Sequence, residues 1–244
     1  MFAIFQKELR SFFSSPIGYL IIGVFLVVTS LFLFVFTNDY NILDNGFASI
    51  KAFFDLAPWI FIFLIPAITM KSFAEEKKLG TMELLLTKPI SISKLIFGKY
   101  LGNLVVVILS ILPSILYVAA IWFLGKPFGN LDIGATLGSY LGLLFLSGSY
   151  TAIGLFCSSL TSNQIIAFIS SVFLCFISYF ACKGLADFDI MSSWNYGIEY
   201  FGIDYHYQSI SRGVLDSRDV IYFISFAFLF LKLTHFKISN LRIH

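Results

Sequence analysis

Charge is scarce in this sequence. Asp, Glu, Lys and Arg make up 12% of its 244 residues, about half the share of a soluble globular domain, and the net charge of +2 is too small to argue for a nucleic-acid partner. The three cysteines, Cys157, Cys175 and Cys182, are an odd number without metal-ligand spacing, and they read as small apolar packing residues. A phosphate-cradling GxxxxGK[ST] is missing: Gly98-Lys99 is followed by Tyr100 with no glycine-rich turn ahead of it, so this chain does not bind ATP through such a loop. HExxH is missing too, and His206, His235 and His244 are scattered. The adjacent Glu75 and Glu76 raise the idea of an intramembrane protease. That chemistry needs an Arg shortly after the pair and histidines on other spans, yet Gly80 stands four residues after Glu76. Charges in the middle of apolar runs, the mark of an ion-coupled path, are lacking as well; only the polar Asn103 and Gln164 fall near span ends.

Apolar residues dominate instead: 58% of the chain is hydrophobic, with thirty Phe. A helix crossing a hydrocarbon core of about 30 Å needs roughly 20 apolar residues, and several runs reach that length. They do not alternate polar and apolar residues in segments of about ten, as a membrane β-barrel must. The expected fold is therefore all-α, a polytopic membrane protein of six transmembrane helices in a single domain, 1–244. The spans are placed at about 17–37, 52–70, 101–124, 133–157, 164–182 and 219–236. Residues 1–15 predict an interfacial helix, with Phe2, Phe5, Leu9 and Phe12 on one face and Gln6, Lys7 and Arg10 on the other. The apolar run after it is too long for a signal peptide and no small-residue cleavage site follows, so the start is read as uncleaved. Pro16 suits a first helical position, and Pro58 and Pro66 are expected to kink the second span. In the fourth, Gly134, Gly138, Gly142, Ser147 and Gly148 allow close helix approach. The sixth accommodates Lys232 by snorkelling.

Six spans put both termini on one side. That side carries Lys7, Arg10, six basic residues within 71–100, Lys232, Lys237 and Arg242; the other carries Lys51, Lys126, Lys183, Arg212 and Arg218. The positive-inside rule makes the richer side cytoplasmic. The outer segment 183–218 mixes Trp194, Tyr196, Tyr200, Phe201, Tyr205 and Tyr207 with Asp187, Asp189, Glu199 and Asp204. It reads as an interfacial aromatic loop or a partly inserted helical hairpin capping an exit path.

The charged stretch 71–100 is the one sizeable cytoplasmic surface. Leu84, Leu85 and Leu86 before Thr87-Lys88-Pro89 predict a short amphipathic helix, stopped because the residue before a proline disfavours helix. Gly80 can turn the chain into it, Thr81 can cap it, and Glu83 suits its first turn. Ser91 or Ser93 can begin another helix through Lys94 and Lys99 into the third span. An apolar triplet in a segment bound for water argues for a protein partner.

This stretch resembles the cytoplasmic loop of ABC-2-type transporter permeases, through Glu75, Glu76, Gly80, Thr81, Glu83, Leu84, Leu85, Leu86, Pro89, Gly98 and Lys99. The start is similar to that family's interfacial helix and first span, through Lys7, Glu8, Leu9, Pro16 and Gly18. A late stretch resembles the gliding-motility-associated permease subunits of Bacteroidota, through His206, Ser209, Ser211, Arg212, Gly213, Asp216, Arg218, Asp219 and Tyr222. The resemblance implies a non-catalytic inner-membrane subunit that exports a substrate as a homo- or heterodimer. A separate cytoplasmic ATPase would bind ATP and Mg, this chain holding no cofactor. The Gly80–Pro89 segment would be the coupling helix, and Glu75 and Glu76 would transmit the ATPase's motion. Alternatives are a membrane scaffold anchoring motility or secretion machinery, or a permease for metal or nitrous-oxide-reductase maturation.

Overall fold

The computed structural model describes residues 1–87, 89–126, 128–186, 199–213 and 215–243. Lys88, Asp187, Asp189, Trp194, Tyr196 and His244 of the sequence reading lie outside them. The described residues form helices and no strands. In order these are α1 (Phe2–Phe13), α2 (Pro16–Phe34), α3 (Ile42–Asn45), α4 (Lys51–Thr69), α5 (Lys71–Lys78), α6 (Thr81–Thr87), α7 (Ile92–Ile111), α8 (Ile115–Leu124), α9 (Ile133–Leu160), α10 (Gln164–Ala186), α11 (Ile203–Ser211) and α12 (Ser217–Ile243). Five helical stretches are long and apolar enough to cross a membrane, or six when α1 and α2, joined by a sharp bend, count as one broken span.

Local chemistry sets the boundaries. Asn41 opens α3 by accepting hydrogen bonds from the Leu43 and Asp44 amides at 2.9 and 3.2 Å. Asp132 caps α9 by accepting from the Ala135 amide at 2.9 Å. Pro113 lacks an N–H, and there α7 passes through a 3₁₀ turn, Leu112–Ser114, before α8 continues the same span. The third span differs from its expected start at 101: the helix begins at Ile92 and carries Lys94 and Lys99 with it. It tolerates Lys99 because that charge is neutralised inside the protein rather than left to lipid. The first span's helix ends at Phe34. The sixth runs from Ser217 to Ile243, beyond the expected 219–236, with exposed Lys232 lying 5.2 Å from the Phe228 ring.

The core gathers around α4 and α9, which bury most of their length, while α10 and α12 turn much of theirs outward. The two central helices approach so closely that a Cβ on Gly154 would fall 2.0 Å from Thr69 Oγ1, the small-residue packing that lipid-embedded helices use in place of a hydrophobic driving force. Phe25, Phe53, Phe61, Leu146 and Tyr150 fill the space around them.

The described part of the outer segment is more than an interfacial aromatic belt. Helix α11 packs into the bundle and buries Ile203, Asp204, His206, Tyr207 and Ile210, with the Tyr207 hydroxyl donating to the Phe54 carbonyl of α4 at 2.7 Å. Apolar runs free of ionisable residues thus enclose ionisable groups from elsewhere in the chain.

Candidate functional site

At the end of the bundle rich in Lys and Arg, α1, the α4–α5 junction, α6 and α7 converge on a buried charge cluster. Helix α1 lies directly on α7. A Cβ on Gly102 would meet Glu8 Cβ at 2.7 Å, and one on Gly98 would meet Ile4 Cβ at 3.0 Å, so these two glycines, one turn apart, let α1 settle onto the α7 backbone. The crossing delivers Glu8 to Lys99, whose side chain is 1% exposed. Lys99 Nζ donates to Glu8 Oε1 and to the Ser72 carbonyl, both at 2.7 Å, lies 2.9 Å from Glu76 Oε1, and sits 5.1 Å from the centre of the Phe73 ring. Lys7 Nζ donates to the same Glu76 oxygen at 2.7 Å. Asn103 Nδ2 ties the arrangement to the backbone, donating to Ser72 Oγ and to the Lys99 carbonyl at 2.8 Å each.

Two ammoniums thus face two carboxylates, and the neutral sum makes burial tolerable. Burial pulls the Lys7 ammonium's pKa down, but the hydrogen bond to Glu76 and the charges of Glu76, Glu8 and Glu75 outweigh it and hold it above the ordinary lysine value. Among the described residues, Glu76 Oε2 is enclosed and has no hydrogen-bond partner. Glu75 and Glu76, adjacent in sequence, therefore have different surroundings: Glu76 is locked in the cluster, while Glu75 is half-buried beside a cavity of about 520 Å³.

Helix α5 joins this cluster to the rest of the bundle. Ser158 Oγ, in the last turn of α9, accepts from the Phe73 and Ala74 amides at 3.0 and 3.1 Å and donates to the Met70 carbonyl at 2.9 Å. Lys77 Nζ donates to the Ser159 carbonyl, placing a cation on the carbonyl end of α9. These hydrogen bonds tie α5 to the end of α9.

Gly80 ends α5 with φ of +67°, a left-handed conformation that favours glycine, and the chain reverses into α6. Thr81 is the first residue of that helix rather than the residue before it, and its hydroxyl donates back to the Glu76 carbonyl at 3.2 Å. Met82 is buried with Ile4, Phe73, Leu95 and Ile96 and roots α6. The Leu triplet then divides. Leu84 is 66% exposed, as is Leu79 across the turn, whereas Leu85 and Leu86 are half-buried and Leu86 packs against the Met82 cluster. Glu83, Thr87 and Pro89 are exposed alongside Leu84.

The outer motif falls at the opposite end of the bundle. His206 Nδ1 and Asp219 Oδ1 lie 2.6 Å apart in a buried pair, the imidazole stacks on Tyr222 with ring centres 3.9 Å apart, and the Tyr222 hydroxyl donates to the Phe201 carbonyl at 2.8 Å. Gly213, with φ of +87°, turns α11 back toward α12. It lies so near α9 that a Cβ on Gly138 would come within 2.8 Å of the Gly213 Cα. Ser139 Oγ donates to the Ser211 carbonyl at 2.9 Å there, and Asp216 Oδ1 accepts from the Arg218 amide at 2.9 Å. The motif therefore separates into residues that fasten a hairpin, His206, Gly213 and Asp219, and exposed ones, Arg212, Asp216 and Arg218. Arg212 also lines a cavity of about 850 Å³ with Lys51, Asp55, Asp132 and Gln208. Among the described residues, no three His, Cys, Asp or Glu side chains come together as metal ligands do.

Lys7, Glu8 and Lys99 carry the family resemblance in the sequence, but nothing in their spacing reveals that they meet. The signal was Gly98-x3-Gly102 opposite an amphipathic helix. Ser158 gives no sequence signal at all. A family model described as "ABC-2 family transporter protein" matches residues 2–195, a span that takes in α1 through α10 and the whole charge cluster but stops short of α11 and α12. A search of curated proteins finds no match. With far more than half of its length matched and its helices suited to crossing a membrane several times, the chain belongs to the ABC-2 family of transporter proteins, as a multi-pass membrane component.

Proposed function

We propose that this chain is the permease subunit of an ATP-driven exporter in the inner membrane. It works as a dimer with a separate cytoplasmic ATPase that binds ATP and Mg. The segment from Gly80 to Pro89 is the docking element, and Glu76, held by Lys99 and Lys7, is the relay into the bundle. One observation carries the reading. A seven-residue helix shows Leu84 to solvent on one side, beside Leu79, and on the other is rooted through Met82 next to the charge cluster. An exposed apolar tip at the charged, water-facing end of a membrane protein marks a protein interface, and a buried root lets a push at the tip reach α5. ATP-driven closure of the partner would tilt α5 and, through Ser158 and Lys77, α9 as well, a rigid-body switch.

Leu84 is the residue of choice for the test, because it is the exposed member of the triplet. Leu84→Asp should weaken co-purification with the ATPase by at least about tenfold, on the order of 1.4 kcal/mol or more at a buried anchor. Glu76→Gln should leave assembly intact and lower substrate-stimulated ATP hydrolysis in liposomes. Undiminished ATPase binding by the Leu84 variant overturns the docking role, and unchanged coupling in the Glu76 variant overturns the relay. The gliding-motility assignment rests on the α11–α12 motif, His206 to Asp219, which lies beyond the matched region. Loss of surface spreading on deletion of the gene would support it, and unimpaired spreading would overturn it.

A further inference from the structure

The cavity of about 520 Å³ beside the cluster has two unlike walls. One is apolar, with Phe12, Ile21 and Ile68; the other carries Lys7, Glu8, Lys71, Glu75 and Glu76. Lys7, Glu8 and Glu76 are occupied by the cluster. Lys71 and Glu75 are half-buried, and among the described residues neither side chain has a hydrogen bond or ion pair. They stand one turn apart on α5, in the order Lys then Glu, the poorer orientation for pairing with each other. Glu75 also acts through space on Lys7, as the smallest of the charges that raise its pKa. An ammonium and a carboxylate held half out of water each call for a counter-charge, and Glu76 Oε2 behind them lacks a donor.

We propose that this cavity binds a phospholipid bearing a primary ammonium, a phosphatidylethanolamine-type headgroup. Its phosphate pairs with Lys71, its ammonium with Glu75, and its acyl chains run along Phe12, Ile21 and Ile68. The place suits such a ligand: the cavity opens beside α1, whose two-faced sequence lies along the boundary between water and hydrocarbon. The charges select the headgroup. An anionic lipid without an amine would leave Glu75 uncompensated and set its phosphate against Glu8, Glu75 and Glu76. A trimethylammonium group has the charge but no N–H to donate, whereas a primary ammonium has three donors. A zwitterion with one donor-rich end leaves the site neutral. The lipid would then rest on α5, the helix on which the cluster is built.

The test uses the full chain with whatever subunits co-purify. It is placed in nanodiscs of equal phosphatidylethanolamine, phosphatidylcholine and phosphatidylglycerol, re-extracted in detergent, and its retained lipid is counted by native mass spectrometry. Phosphatidylethanolamine should be retained several-fold over phosphatidylcholine. Glu75→Gln should bring the two to parity, whereas Lys71→Gln, which removes the partner of a phosphate both lipids carry, should lower the retention of both, and Lys71→Arg, which keeps the cation, should restore it. Equal retention by the unmodified protein, an unchanged preference in Glu75→Gln, or undiminished lipid retention in Lys71→Gln overturns the site. Release of the lipid by free phosphoethanolamine would overturn the role given to the apolar wall. The readout involves neither ATP nor the ATPase, so its failure and failure of the docking reading are told apart.

Discussion

Lys99 carries its charge at 1% exposure, and the groups around it all answer that charge. Glu8 and the Ser72 carbonyl accept from Nζ, Glu76 Oε1 lies 2.9 Å from it as an ion pair, and the Phe73 ring covers one side. Removing the cation leaves Glu8 and Glu76 facing each other in a poorly hydrated space. Lys99→Met should therefore cost about 3–5 kcal/mol, the penalty of breaking a buried pair from one side, read as a lowered unfolding transition in detergent. Lys7 belongs to the same cluster but is 56% exposed. Water can replace most of what it supplies, so Lys7→Ala should cost less than about 1 kcal/mol. Equal losses for the two would show that Lys99 is hydrated after all. Residue chemistry also explains why a sequence free of mid-span charges encloses so many. Glu8 comes from the interfacial helix, Glu76 from beyond the second span and Asp219 from the first turn of the sixth. Each reaches its partner through folding, and none is placed by its neighbours in sequence.

Among elements, the seating of α1 on α7 decides whether the cluster exists. Gly102 gives up the space that Glu8 occupies, and a side chain there would meet Glu8 Cβ at 2.7 Å. Gly102→Val should lift α1 off, costing about 1–3 kcal/mol by overpacking, and should part Glu8 from Lys99. Faster proteolysis within residues 2–13 is the expected sign; unchanged protection would mean that α1 is held elsewhere. Much of this level was legible beforehand. The amphipathic start, the long apolar helices and the turn at Gly80 follow from periodicity, length and backbone preference. The side of α6 that meets water did not. In seven residues the Leu triplet spans most of a turn, and only the burial of Met82 against Phe73 and Ile4 decides that Leu84 faces out while Leu86 faces in. The insertion of α11 was illegible for a related reason. Its Tyr and His look interfacial by composition, but the Tyr207–Phe54 and His206–Asp219 contacts depend on helices far away in the chain.

For the whole molecule the governing asymmetry is charge. Lys and Arg concentrate at the end formed by α1, α5, α6 and the start of α7, with eleven on that side of the spans and five on the other. Cytoplasmic loops of membrane proteins retain such positive charge, and the end proposed to receive a soluble ATPase would have to face the cytoplasm, so the two arguments favour the same proposed orientation. The turn between α9 and α10 lies at this end, close to Lys78, while the loop between α3 and α4 lies at the other, close to Arg212. Cys157 and Cys175 are buried and Cys182 is half-buried, so a Cys182→Ser background should be nearly silent toward a membrane-impermeant maleimide. In that background, Phe47→Cys, at a position 79% exposed, should, in the proposed orientation, react once the non-cytoplasmic face of the membrane is accessible. Ser162→Cys, exposed in the α9–α10 turn, should react only after the membrane is permeabilised. The reverse pattern would turn the protein over, move α6 out of reach of a cytoplasmic ATPase, and remove the docking role from Leu84.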